Sequence, residues 1–198
     1  FVQGLINTKL IAFGGDLAVG AMGIVNSVLT MIIMAIVAIN MASQPIISFN
    51  YGARSYSRVK ETLRIALIAA TVIAVFSFLI VETIPSGIVK LFNSTDNGLL
   101  NYGKEGLRLG LMALPIIGFQ VITGNFFQSM GKAKIAVILT LLRQVIILIP
   151  LLFLLPSYWG LHGIWLAMPL SDCCSATIVV FFLVNHWKKL NILVETQP

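Results

Sequence analysis

Charge is what this sequence has least of. Its 198 residues include only 13 Lys or Arg and 7 Asp or Glu, or 10% charged, where ordinary globular domains carry roughly 25%. Hydrophobic residues make up 58%, and the mean hydropathy is +0.97. That excludes an ordinary soluble domain, which could not hide so much apolar surface. Histidine is also scarce, with two residues, His162 and His186. The motifs of zinc proteases, serine hydrolases and P-loop enzymes do not occur, so the chain does not read as an enzyme. The two cysteines, Cys173 and Cys174, are neighbours. They lack metal-site spacing, and adjacent helix residues diverge too far for an ordinary disulfide. They read as small apolar helix residues. No stripe of Lys or Arg marks a nucleic-acid surface. No basic leader with a small-residue cleavage site opens the chain.

Long apolar runs are what the sequence does have. Residues 1–12 are apolar but reach only about 18 Å, against a hydrocarbon core of about 30 Å. They read as the end of a span whose beginning is missing. A turn follows at Ala12-Phe-Gly-Gly-Asp16. Full spans are expected over 17–48, 62–84, 105–127, 135–155 and 164–184. Pro45 is expected to kink or stop the second segment near Gln44, with a turn at Asn50-Tyr-Gly52. A short interfacial helix through Leu91-Phe92 is expected before the polar loop Asn93–Asn97. Pro156 should end the fifth span. The fold class is therefore all-α: a polytopic membrane helical bundle of five full transmembrane helices and one partial one.

The charges that exist are placed unevenly. One side of this topology holds Arg54, Arg58, Lys60, Arg64, Lys132, Lys134, Lys188 and Lys189. The other holds Lys9, Lys90, Lys104 and Arg108. The positive-inside rule puts the richer set, and the C-terminus, in the cytoplasm. His162 and His186 then lie on opposite sides. Trp159, Trp165 and Trp187 all fall near the interfaces, as aromatic belts require.

Charges inside a membrane span are costly and are functional candidates. Arg143 and Asp172 each lie about 12 Å along consecutive antiparallel spans, from opposite faces. They are expected to pair, either as a structural lock or as part of a proton- or cation-linked switch. The neutral polar set gives candidates for a substrate cavity: Asn40, Gln44, Gln120, Asn125 and Gln128. Asn40 and Gln44 share a helix face at spacing i, i+4. Asn26 reads as interhelical glue. Pro115, Pro150 and Pro169 interrupt the last three spans, which suits a protein that moves. Gly106-Leu-Arg-Leu-Gly110 has the G-x-x-x-G spacing of close helix packing.

Several of these pieces resemble one family. Gln44-Pro-Ile-Ile-Ser-Phe-Asn-Tyr-Gly-Ala-Arg54, with Arg58-Val-Lys60 after it, is similar to the stretch after the eighth helix of multidrug and toxic compound extrusion (MATE) transporters. Phe126-Phe-Gln-Ser-Met-Gly-Lys-Ala-Lys134, Leu142-Arg-Gln144, Ile149-Pro150, Gly160-Leu-His-Gly-Ile-Trp165 and Pro169-Leu-Ser-Asp172 follow in the family's order. The resemblance implies that residues 1–198 are the C-terminal six-helix lobe, helices seven to twelve, truncated at its start. It implies a missing N-terminal lobe and a location in the bacterial inner membrane among membrane lipids. It also implies efflux of organic, often cationic, compounds by alternating access, with a proton or sodium as coupling ion and no cofactor. Family members that couple through acidic residues in helices seven and eight have no match here beyond Asp16, at the mouth of the second segment. A lipid-linked oligosaccharide flippase of the same superfamily, or a structural membrane protein, is the alternative.

Overall fold

The computed structural model describes residues 2–195 and is helical almost throughout. Its elements are α1 (Val2–Gly52), α2 (Tyr56–Thr83), α3 (Pro85–Phe92), α4 (Asn97–Gly110), α5 (Leu114–Ser129), α6 (Ala133–Leu141), a π-helical segment (Leu142–Ile147) and α7 (Leu148–Glu195).

Two of these helical runs are too long for one crossing, and each folds back at a glycine. Gly15 (φ 65°, ψ −163°) breaks α1, and Gly160 (φ 54°, ψ −132°) breaks α7. Both conformations are strained for residues with a Cβ. The reversal of α1 brings Val2 and Ile6 beside Met22 and Leu29. The two reversals abut, since a Cβ on Gly14 would lie 3.1 Å from the Leu161 side chain. A third break, at Leu111–Ala113 just before Pro115, bends α4 against α5 by 53°. The chain therefore divides at these breaks into five long segments and one short N-terminal one, as the hydropathy implied.

Residue size decides which face of each span turns inward. In α2 the outward stripe is Ile65, Ile68, Val72, Phe76 and Leu79, all exposed. The inward stripe holds Ala66, Ala70 and Ala74. Lipid gives no hydrophobic drive between helices, so small residues go where backbones approach closely. The G-x-x-x-G pair behaves the same way. A Cβ on Gly106 would come within 2.9 Å of the fully buried Trp165 ring.

Two buried apolar clusters fill the bundle. One contains Ile6, Leu10, Met22, Leu107, Leu114 and Trp165. The other contains Ile36, Leu63, Ile122, Phe126, Leu139 and Val179. Between them, on α5 and the two segments around the Gly160 turn, lies a polar layer. The basic loops gather at one end, where Ser48 Oγ donates to the Ser129 carbonyl at 2.9 Å and Lys132 meets His186. At the other end Arg108 pairs with Glu82 at 3.4 Å, and His162 lies 3.2 Å from Glu105.

Three local expectations need correction. Helix α1 runs through Pro45 to Gly52 with no break at Gln44. One lost backbone bond is tolerable in a span braced by neighbouring helices. The turn falls later than Asn50-Tyr-Gly52, at Ala53–Arg54, where Arg54 takes φ 62° and Ser55 N–H donates to the Asn50 carbonyl at 2.8 Å. Pro156 does not end its helix, which reverses only at Gly160. The π-helical turn at Leu142–Ile147 is a feature that the apolar pattern does not announce. Pro150 explains its place, because it has no N–H to offer the Ile146 carbonyl.

The short helix α3 and the polar loop after it are present as expected. Asp96 caps α4, accepting from Gly98 N–H at 2.8 Å and Leu99 N–H at 3.1 Å. Asp96→Ala should cost about 1 kcal/mol. Hydrogen exchange should then quicken at Gly98 and Leu99 while α5 keeps its protection.

Candidate functional site

The polar layer is built from three segments. Gln120 on α5 donates from Nε2 to the Asp172 carbonyl at 2.7 Å and to Ser175 Oγ at 2.8 Å. Arg143 Nη1 lies 3.4 Å from Gln120 Oε1 and 3.4 Å from Asp172 Oδ1. Ser171 Oγ donates to the Arg143 carbonyl at 2.7 Å, and Ser175 Oγ donates to the Asp172 carbonyl at 3.0 Å. The π turn matters here. It rotates the backbone around Arg143 and leaves that carbonyl placed to accept from Ser171.

The Arg143 and Asp172 side chains are 23% and 13% exposed. An ion pair this enclosed is held by its surrounding hydrogen bonds as much as by its own attraction. Chemically, the layer offers one carboxylate, one guanidinium, one amide and two hydroxyls. It can hold helices in register and can bind polar or ionic groups. Among the described residues, no group of three His, Cys, Asp or Glu side chains could hold a metal ion.

Two cavities lie on either side of this layer. The first, about 440 Å³, is lined by Gln120, Asn125, Gln128, Thr140, Arg143 and Ser175 with apolar neighbours such as Val121 and Val179. The second, about 480 Å³, is lined by Gln3, Asn26, Arg143, Gln144, Ser171 and Asp172 with Met22, Leu29 and Ile33. Arg143 is part of both walls. Each cavity has the volume of a small-molecule site and the mostly apolar lining such sites have.

The five neutral candidates separate. Gln120, Asn125 and Gln128 line the first cavity. Asn40 and Gln44 line neither. Asn40 is buried and Gln44 half-buried within the basic half of α1. Sequence reasoning misses Gln3, Asn26 and Gln144, which line the second cavity. Their polar side chains are a signal, but depth and facing cannot be read for Gln3 in a partial span. A lone Asn such as Asn26 reads equally well as interhelical glue.

The basic loop residues sit at one end. Lys132 Nζ meets His186 Nε2 at 3.0 Å. Lys60 donates to Asn191 Oδ1 and stands 5.3 Å from the centre of the Trp187 ring. Arg58, Arg64, Lys134, Lys188 and Lys189 carry no ion pair among the described residues.

A family model described as MatE matches residues 2–154. The multidrug export protein MepA of Staphylococcus haemolyticus strain JCSC1435 is 24% identical over 191 residues. These are 96% of this chain and 42% of that protein. MepA of Staphylococcus aureus strain N315 is 27% identical over 184 residues, 92% of this chain and 40% of that protein. Among solved structures, the MATE multidrug transporter DinF-BH, in complex with a small molecule, superimposes with a TM-score of 0.79. It is 36% identical, with 91% of this chain and 40% of that one covered. An outward-facing MATE family multidrug resistance transporter of the MOP superfamily superimposes with a TM-score of 0.86 at 18% identity over 99% of this chain and 43% of that one, a likeness of fold. The chain spans about two fifths of the length of these relatives.

Proposed function

The chain belongs to the MatE family, and we propose that it forms the C-terminal six-helix lobe of a secondary transporter that exports organic, often cationic, compounds. An N-terminal lobe would complete the transport path, and alternating access would exchange the compound for protons or sodium. The observation that carries this reading is the first cavity. Its 440 Å³ space has neutral polar side chains, Gln120, Asn125 and Gln128, set in an apolar wall. That wall suits an amphipathic compound, because apolar surface supplies affinity and a few polar groups fix orientation. Among the described lining residues the one charge, Arg143, already faces Asp172, so the cavity carries little net charge to repel a cation. The basic end is assigned to the cytoplasm of a bacterial plasma membrane by its eight Lys and Arg residues. Asn40 and Gln44 are assigned a bracing role.

Accumulation of ethidium, a fluorescent organic cation, in cells that express the full-length protein tests this. Expression should lower accumulation, and a proton ionophore or removal of sodium should restore it, according to the coupling ion. Asn125→Leu and Gln128→Leu should each weaken export by about two- to tenfold, the worth of one hydrogen bond, at unchanged protein level. Accumulation indifferent to expression across a broad panel of organic cations would overturn the reading.

A further inference from the structure

The basic end contains a cluster of cations that the transport reading does not use. Lys132 follows α5 in the loop before α6, and its Nζ sits against the His186 ring, 3.0 Å from Nε2 and 3.4 Å from Nδ1. The ring is fixed from behind by Phe127 and Phe126, with centroids at 5.5 Å and 6.1 Å. Lys189, one turn along α7, repels Lys132. Burial and then this repulsion hold the Lys132 ammonium below the ordinary lysine value. Neither lysine has a carboxylate within ion-pair distance among the described residues. On the adjoining face of the same helix end, Lys60 reaches Asn191 and the Trp187 ring. Three ammonium groups are thus gathered around one helix end, and two of them repel each other.

Such a cluster needs a counter-charge, and its surroundings indicate which kind. One to two turns back along α7, toward the middle of the span, Val180, Phe181 and Val184 are exposed. A basic cluster beside exposed apolar surface suits a molecule with an anionic head and apolar chains. Trp187 stands where interfacial aromatics meet headgroups. A free anion would use the lysines but would gain nothing from the apolar stripe.

We propose that Lys132 and Lys189, with Lys60 and Trp187 beside them, form a binding site for the phosphate headgroup of an anionic phospholipid, whose acyl chains lie along Val180, Phe181 and Val184. The lipid would supply the missing negative charge and tie the α5–α6 loop to the end of α7. The site is independent of whether the protein exports organic cations.

Native mass spectrometry of the purified full-length protein, delipidated and then equilibrated with phosphatidylglycerol or phosphatidylcholine, tests the proposal. The wild type should retain phosphatidylglycerol in preference to phosphatidylcholine. Lys132→Gln/Lys189→Gln should reduce retention about thirtyfold, since each lysine near an anionic surface is worth roughly a factor of five. Lys132→Arg/Lys189→Arg should keep it, which separates lost charge from lost folding. Arg64→Gln, a change at the same end outside the cluster, should leave it within about twofold. Equal retention of both lipids, equal loss in Arg64→Gln, or unchanged retention in the double Gln variant would overturn the proposal. So would displacement by millimolar inorganic phosphate, the mark of a free-anion site.

Discussion

Asp172→Asn is expected to cost the protein about 3–5 kcal/mol, the usual result of removing one partner from a buried ion pair. The loss is large because Arg143 stays behind. Its guanidinium is only 23% exposed and is 3.4 Å from the carboxylate that would vanish. An uncompensated Arg deep in a span is worth roughly 2.5–3.5 kcal/mol against insertion on the lowest scale. The Asp172 backbone carbonyl still accepts from Gln120 at 2.7 Å, so the variant loses charge balance more than hydrogen bonds. That gives a specific second expectation. Arg143→Met/Asp172→Leu, which removes both charges, should recover most of the lost stability, because well-packed apolar replacements of buried pairs are often neutral. Unfolding in detergent, followed for wild type, both single variants and the double variant, closes a double-mutant cycle. A coupling energy near zero would mean that the two side chains act independently and that the pair does not lock the helices. A stable double variant that no longer exports would instead assign the pair a part in transport.

The pairing of Arg143 with Asp172 was legible because it depended on arithmetic alone. Two charges at equal depth on consecutive antiparallel spans have one economical arrangement. The reversals at Gly15 and Gly160 were legible for a related reason, since glycine clusters punctuate runs too long to cross once. Facing was harder. The spacing of Asn40 and Gln44 fixes their shared helix face but not what that face meets, and neither lines a cavity. Gln3 and Asn26 meet across the Gly15 reversal, a contact that depends on how tightly two segments fold together. The π turn needed a further step. Pro150 marks an orphaned carbonyl, but whether the helix bends, breaks or widens depends on a distant acceptor or donor such as Ser171. Prolines show the same limit. Pro115 lies at a real break and Pro45 does not, although each removes one backbone bond.

Gly118→Val should be the most damaging single change on α5. At this position the α2 backbone itself is the neighbour. A Cβ would lie 2.9 Å from the Ala70 carbonyl oxygen, 3.2 Å from its carbon and 3.3 Å from the Ala74 Cβ. A flexible side chain could rotate away from such a contact, but a helical carbonyl cannot move without its whole helix. Overpacking of this kind costs about 1–3 kcal/mol, and more when backbone must shift. Gly118→Ala should lie at the low end and Gly118→Val beyond the high end. Gly124, six residues along the same helix, supplies the comparison. Nothing lies within 4 Å of a Cβ built there, so Gly124→Ala should be neutral or stabilising by up to about 1 kcal/mol through helix propensity alone. Thermal melting in detergent should rank the variants Gly124→Ala, wild type, Gly118→Ala and Gly118→Val, from most to least stable. The damage should also reach the polar layer. Gln120 is two residues from Gly118, and its amide holds the Asp172 carbonyl and Ser175 at 2.7 Å and 2.8 Å. Pushing α5 away from α2 by a few tenths of an ångström moves that amide with it. Gly118→Ala should therefore impair ethidium export more than its modest loss of stability accounts for. Export scaling only with the amount of folded protein would show that the layer tolerates the shift.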